Sequence, residues 1–269
     1  MAKPFLKWAG GKRQLVKELK ARLPKKYKRY FEPFLGAGAL YFNLAPENAV
    51  VSDINEELIN VYQVVRDQLD ALIEQLLLHE NSEEYFYQIR SWDREADYLQ
   101  RSPAERAARF IFLNRTCFNG LYRVNSKGHF NVPFGKYANP RILDEDNLRA
   151  CRDLLRTAEI RRGTFEEIEA EIEPGDFVYL DPPYVPLNQT SSFTSYYRES
   201  FGVPEQLKLR EFCERISERG AKFLLSNSDT DLVRREYSEY TIESVLAARA
   251  VNSDASKRGR ISELMVRNF

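Results

Sequence analysis

Asp181-Pro182-Pro183-Tyr184 places a carboxylate between four apolar residues, Phe177-Val178-Tyr179-Leu180, and two prolines. Proline fixes its own φ and disfavours helix in the residue before it, so the pair stops the chain in a rigid turn where an apolar strand ends. In open α/β sheets ligands bind beyond the carboxyl ends of strands. The chemistry this turn suits is capture of an amino group. The exocyclic amine of a purine or pyrimidine is a weak nucleophile, because its lone pair is delocalised into the ring. Asp181 can accept one of its N–H bonds and the Pro182 carbonyl the other, proline offering an acceptor with no competing donor. Two such acceptors favour a pyramidal nitrogen whose lone pair points at an electrophile. Pro183 completes the turn, and Tyr184 can stack on the ring, worth about 1–3 kcal/mol. The same four residues also read as a strand terminator capped by Asp, and it is their place after the strand that favours the chemical reading.

Two further segments could hold a small molecule beside that turn. Phe31-Glu32-Pro33-Phe34-Leu35-Gly36-Ala37-Gly38-Ala39 has two glycines at a strand-to-helix turn, where backbone can approach a bound cofactor closely. Asp53 ends the next apolar run, Ala49-Val50-Val51-Ser52, and is placed to accept from ribose hydroxyls. Tyr41 stands where a third glycine would complete GxGxxG, which argues against a standard dinucleotide site and leaves an adenosine-containing cofactor open. Pro4-Phe5-Leu6-Lys7-Trp8-Ala9-Gly10-Gly11-Lys12 is not a P-loop, since Leu6 falls on the first glycine position and Arg13 on the Ser/Thr. Its Gly-Gly turn can still hold a carboxylate, with help from Lys12.

The elements around these motifs alternate. A strand at Phe31, a helix from Ala39 and a strand over Ala49–Asp53 form half of a doubly wound nucleotide-binding sheet. Strands are expected again near Ile160, at Phe177–Leu180, at Lys222–Leu225 and, as a last edge strand, at Glu263–Arg267, with helices over 204–218 and 230–237. Between them the character is helical. Leu58, Ile59, Val61, Tyr62, Val65, Leu69, Leu72, Ile73 and Leu76 recur at three- and four-residue steps and predict one long amphipathic helix. Ser102-Pro103-Ala104-Glu105 is a capping-box signature that opens a helix through Phe110 and Leu113, and another helix covers Glu145–Leu155. Gly120, Gly128 and Gly135 break the pattern over 117–137 into a loop and hairpin. The fold class is therefore α/β, a doubly wound and mostly parallel sheet interrupted by a helical insert that carries a hairpin. The expected division is a core of residues 1–54 and 159–269 and an insert of residues 55–158.

Composition excludes several classes. Of 269 residues, 43% are apolar, and 40 basic residues cancel 40 acidic ones. Charge is uneven all the same: residues 1–31 hold eleven Lys/Arg and one acid, and residues 109–141 hold six and none. Two basic segments in a neutral chain suit a polyanion partner on one face, although solvated lysines give the same count. Cys117, Cys151 and Cys213 are widely spaced, no CxxC occurs, and His79 and His129 are the only histidines. Neither a metal site nor a disulfide framework is expected. With no apolar run near 18 residues and no signal-like leader, the expectation is a soluble, reduced, cytoplasmic protein without a membrane span.

Taken together, DPPY, the FxGxG segment and the N-terminal FLKWAGGK, in this order and with a large insert before DPPY, resemble the Dam family (D12 class) of DNA adenine-N6 methyltransferases. Asn114–Arg123, Gly128–Gly135, Ser226-Asn227-Ser228-Asp229, Asn252-Ser253 and Arg258-Gly259-Arg260-Ile261-Ser262-Glu263 resemble its GATC-recognising branch in particular. The resemblance implies a Rossmann-like fold, S-adenosylmethionine as methyl donor and double-stranded DNA as partner, in a restriction–modification, housekeeping or phage setting. It implies that Trp8, Gly11 and Lys12 line the methionine end of the cofactor, Phe34, Gly36 and Gly38 flank it, Asp53 takes the ribose and Phe165 borders the adenine. The family usually has Asp before that aromatic, where this chain has Thr164, a weaker acceptor. Asp181, Pro182, Pro183 and Tyr184 would then hold an extruded adenine, with Asp181 also bordering the cofactor.

By the same resemblance the insert is the target-recognition domain. Phe118 sits at the position of an aromatic that wedges into the DNA stack, which lowers the cost of extruding a base. Lys7, Arg115, Asn119, Leu121, Arg123, Asn125, Pro133 and Tyr137 would face DNA. The Arg123 fork matches guanine O6 and N7, a pairing worth about 1–3 kcal/mol of discrimination. By residue type alone, Phe118 and Leu121 equally suit a core and Arg123 a phosphate contact. The nearest alternative enzyme, an N4-cytosine methyltransferase, usually carries Ser where this chain has Asp181. A non-catalytic DNA-binding protein on the same fold is the other alternative.

Overall fold

The computed structural model describes residues 2–184, 201–248 and 260–269. Asn252, Ser253, Arg258 and Gly259 lie outside the described residues. In chain order the strands are β1 (Tyr30–Glu32), β2 (Ala49–Asp53), β3 (Ala158–Arg162), β4 (Phe177–Leu180), β5 (Lys222–Ser228), β6 (Thr241–Ala248) and β7 (Arg260–Arg267). They form one sheet in the order β3-β2-β1-β4-β5-β7-β6. The first five strands run parallel, and β7 is antiparallel to both of its neighbours.

Alternation along the strands explains why both faces are covered. Tyr30, Ala49, Val51, Phe177, Tyr179, Leu224 and Met265 point into one core. Phe31, Val50, Val178, Leu180, Phe223, Leu225, Leu264 and Val266 point into another. A period of two therefore gives the sheet two apolar faces, each needing helices. α3 (Glu56–Asp67), α6 (Pro103–Thr116) and α7 (Glu145–Leu155) share the first core through Leu58, Val61, Tyr62, Ala107, Ile111, Leu148 and Leu155. α8 (Val203–Glu218) and α9 (Asp231–Glu236) cover the other with Leu209, Phe212, Ile216 and Val233. The result is the doubly wound, mostly parallel α/β sheet expected from the sequence. β1 lies between β2 and β4, so the strand order reverses there, and the carboxyl ends of β1 and β4 open the crevice where such sheets bind ligands.

The connection from β2 to β3 is mostly helical and buries a smaller cluster of its own, built on Phe86, Ile89, Phe112, Leu113, Cys117, Phe130 and Val132. The Ser102 capping box forms, the Ser102 hydroxyl accepting from the Glu105 N–H and the Glu105 carboxylate from the Ser102 N–H. α3 is capped by the Asn55 side chain, which accepts from the Leu58 N–H. Where a hairpin is expected, only the isolated bridges Val124–Phe130 and Cys117–Phe134 join the two arms.

Three expectations are corrected. The single long helix is two, α3 and α4 (Leu69–Leu77), broken at Gln68 with φ −134°. The buried stripe Val65, Leu69, Leu72, Leu76 keeps three- and four-residue steps across the break, so periodicity does not reveal it. β7 is not an edge strand, because β6 pairs along its outer side. β6 opens with polar residues, Thr241, Glu243 and Ser244, and over Thr241–Leu246 only Val245 is buried, as suits an outermost strand. And Arg109, counted in the second basic segment, is at no surface, neither facing a polyanion nor solvated. Arg109 is buried, 2.9 Å from Asp93, and donates to the Ile89 and Arg90 carbonyls.

No helix among the described residues is long and apolar enough to cross a membrane. Arg109→Ala removes the partner of a mostly buried carboxylate and three donors at once. A loss of about 3 kcal/mol is expected, read from the urea midpoint; a loss under about 1 kcal/mol contradicts the buried-pair reading.

Candidate active site

The floor of the crevice is built by turns at the ends of β1 and β2. Leu35 donates its N–H to the Ser52 carbonyl, which stitches the turn after β1 to β2. Gly36 follows at φ +48°, and a Cβ there would lie 2.8 Å from the Trp8 indole, so both its conformation and its space demand glycine. Its N–H donates to Asp53 Oδ2 at 3.1 Å, and its carbonyl accepts from the Tyr62 hydroxyl at 2.9 Å. Asp53 Oδ1 accepts from the Asn55 N–H at 3.0 Å. Buried backbone donors thus hold the carboxylate of Asp53 against the glycine turn. Gly38, also left-handed, begins α2 (Ala39–Leu44).

Trp8 closes one side, stacked on Tyr122 with ring centres 5.4 Å apart. Its carbonyl accepts from the Gly11 N–H, and the turn delivers Lys12 to the carboxyl end of β4. There Lys12 Nζ lies 2.8 Å from Asp181 Oδ1, 3.9 Å from Glu263 Oε2 and 4.6 Å above the Tyr184 ring. The Tyr184 hydroxyl donates to Glu263 Oε2 at 2.7 Å. The Asp181 carboxyl is pushed up to about 6 by burial, with Glu263 adding to the rise and Lys12 opposing it. No donor among the described residues bonds to the Pro182 carbonyl, while that of Pro183 accepts from Gln206 on α8.

Behind this cluster lies a second carboxyl group. Glu32 ends β1 fully buried and accepts from the Tyr30 hydroxyl at 2.5 Å. Burial raises it to about 8, the nearby Asp181 adding to the rise against hydrogen bonds from Tyr30 and the Tyr41 backbone. It is accordingly an uncharged acid at neutral pH. On the far side, Phe34 packs against Phe165 and Phe201 with ring centres 5.7 Å away in each case. Thr164 turns toward Glu167, whose carboxylate accepts from both its N–H and its hydroxyl.

The sequence that builds this crevice has known relatives. The family model of D12 class N6 adenine-specific DNA methyltransferases matches residues 8–251. The chain belongs to this family. It is 45% identical to the Type II methyltransferase M1.LlaDCHI of Lactococcus lactis, covering 99% of this chain and 95% of that one. It is 43% identical to the Type II methyltransferase M.MjaIII of Methanocaldococcus jannaschii, over 99% of each. Against the DNA adenine methylase of Escherichia coli K12 it is 36% identical, over 97% and 93%.

In this D12-class enzyme several residues expected to face DNA lie together. Phe118 is 52% exposed, and its N–H donates to the carbonyl of Pro133, itself exposed. Asn119 follows in a left-handed turn and is also exposed. Lys7 is tied to this turn through Asn114, which bonds to both its N–H and its carbonyl and also reaches the Gly120 carbonyl. Its ammonium sits 4.7 Å above the Tyr137 ring. Leu121 is half-buried, and Arg123, on the hairpin, donates to Asn131 at 2.7 Å. Two others have structural partners: Arg115 donates to the Phe5 carbonyl, and the Asn125 side chain accepts the Lys127 and His129 N–H groups inside the hairpin turn. Among the described residues no His/Cys/Asp/Glu group could hold a metal.

Glu32, Tyr62, Gln206 and Glu263 join the site without having been singled out as site residues in the sequence. Each acts through contacts that the fold alone creates. For Glu32 the consequence is measurable. Its carboxyl is raised on folding, so the stability associated with it is present below about pH 4.5 and is lost as pH rises toward 8. Glu32→Gln is expected to be more stable than the parent by about 3 kcal/mol more at pH 8 than at pH 5, in urea titrations. A difference that does not change with pH refutes the uncharged buried acid.

Proposed function

We propose that this adenine-N6 methyltransferase uses S-adenosylmethionine and acts on the adenine of duplex GATC. The observation that carries the reading is the convergence of Asp181 and the face of Tyr184 on one N–H donor, the Lys12 ammonium, at the switch point of the sheet. An ammonium there stands in for the amine of an extruded base.

The residues fit the cofactor. The glycine turn at Gly36 holds the carboxylate of Asp53 through its N–H, Asp53 being the acceptor a ribose requires, and Phe34 and Phe165 form an apolar wall for an adenine ring. Trp8, Gly11 and Lys12 lie toward the methionine end. The cofactor supplies an electrophilic methyl group on a sulfonium. Asp181 and the Pro182 carbonyl take the two N–H bonds of the adenine amine and turn its lone pair outward, and Tyr184 holds the ring. A methyl taken by that lone pair would leave the sulfur as a neutral thioether with no enzyme nucleophile needed, and the surplus amine proton would pass to Asp181 or to water. The buried Cys117 and Cys151 thiols, both pushed up to about 12, are unsuited as nucleophiles.

Phe118 is the wedge and, with Lys7, Asn119, Leu121, Arg123, Pro133 and Tyr137, faces the duplex; Arg123 reads a guanine. A restriction–modification setting suits the Type II names of two relatives, and a DNA substrate suits work in the cytoplasm.

Plasmid treated with enzyme and S-adenosylmethionine is expected to resist nucleases blocked by GATC adenine methylation; continued cutting, with labelled methyl elsewhere in the DNA, overturns the site assignment. Asp181→Ala should lower transfer by at least about 10²-fold while cofactor binding is kept. Since the ionised Asp181 carboxylate is the stronger acceptor for an amine, kcat/KM for DNA should fall below about pH 6; a flat profile from pH 5 to 8 removes it from that role. Arg123→Ala should relax discrimination at one guanine, by about 1–3 kcal/mol across single-base variants of the site.

A further inference from the structure

Two carboxylates and one ring compete for a single ammonium. Lys12 Nζ lies against Asp181 and over the Tyr184 face, the same acceptors that an adenine amine and ring would need. An ammonium bonded to Asp181 and a base stacked on Tyr184 occupy one place, so Lys12 must leave Asp181 for the base to enter. Glu263 is the other carboxylate in ion-pair range of Lys12 among the described residues, at 3.9 Å. It also takes the Tyr184 hydroxyl.

Its own position is held from behind. β7 pairs with β5 so that Glu263 lies opposite Ser228. Next to it the Ser262 hydroxyl donates to Asp229, which is also gripped by Arg234. From the same strand end Asn227 donates to Gln206, and Gln206 to the Pro183 carbonyl. The segment Ser226–Asp229 therefore fixes both sides of the pocket, the DPPY turn and Glu263.

We propose that Glu263 is a positioning residue for methyl transfer, its carboxylate anchoring Tyr184 and receiving the Lys12 ammonium when the base enters. This rests on the adenine-binding reading of the crevice. One function uses the acceptor lone pair and the other the charge, so two variants separate them. Glu263→Gln keeps an acceptor for the Tyr184 hydroxyl and loses the charge; Glu263→Ala loses both.

The charged and titratable groups facing Asp181 are Lys12 from the N-terminal turn, Glu32 from β1, Tyr179 from β4, Tyr184 from its own turn and Glu263 from β7. Glu263 adds to the rise of the Asp181 carboxyl, so its neutralisation lets that carboxyl ionise at lower pH.

The test uses the full chain with S-adenosylmethionine and a GATC duplex, measuring kcat, KM for DNA, the pH profile and melting temperature. A second duplex, with 2-aminopurine at the target adenine, reports extrusion by fluorescence. Glu263→Gln is expected to lower kcat about tenfold, with near-parental KM and an acid limb moved to lower pH. Glu263→Ala should in addition raise KM and weaken the 2-aminopurine signal. Parental kcat, KM and profile in both variants overturn the proposal. So does a loss that follows melting temperature alone, with the acid limb and the signal per folded molecule unchanged. If the parent enzyme itself leaves the duplex unmethylated, it is the functional reading that fails.

Discussion

Lys12 brings one positive charge to the place where the carboxyl ends of β1 and β4 and the amino-terminal half of the antiparallel β7 bring three acids. Asp181 and Glu263 lie within ion-pair reach of it, and Glu32 stands behind them. Charges removed from water need partners or must be neutralised. Glu32 is neutralised by holding its proton, and Asp181 and Glu263 share the ammonium. Much of the surrounding architecture serves that arrangement. The Gly10-Gly11 turn delivers Lys12, the prolines fix Asp181, and the antiparallel insertion of β7 delivers Glu263. On the proposed reading, an adenine amine would meet acceptors that are already oriented, which is how a site can promote reaction without a nucleophile of its own.

How much was legible in advance depends on whether a residue acts through its neighbours in sequence or in space. DPPY, the Gly36 turn, Asp53 and the Ser102 capping box are local devices, and each sits where its spacing places it. The alternating strands show both apolar faces of the sheet. Glu32 reads as one more charged residue until Tyr30, Tyr41 and Asp181 are seen around it. Gln206 and Glu263 are silent, because their partners, Pro183 and Tyr184, are more than twenty residues away. The kink at Gln68 is hidden for a different reason: the buried stripe stays in phase across it. β6 begins with the largely polar stretch Thr241–Ser244, which does not read as a strand, and its pairing outside β7 is a matter of space rather than of sequence.

The charge pattern of the insert divides in a similar way. Arg109 and Arg115 spend their donors inside the molecule, on Asp93 and on backbone carbonyls, and Asn125 shapes a turn. Phe118, Asn119 and Pro133 are left at the surface of a turn that Lys7 joins through Asn114. On the proposed reading Phe118 is the wedge, and the hydrogen-bonded turn beneath it holds the ring at the surface. Asn114 therefore links the recognition turn to the same N-terminal segment that carries Lys12.

The placement of β7 between β5 and β6 bears on biogenesis. A sheet in which strands were laid down strictly outward would have its crevice ready once β4 and β5 had docked. Here the penultimate lane stays vacant until residues 260–267 have left the ribosome, and β6 has no sheet to join before then. Until β7 is made the acid opposite Lys12 is undelivered, so that maturation of the pocket and closure of the sheet become a single event.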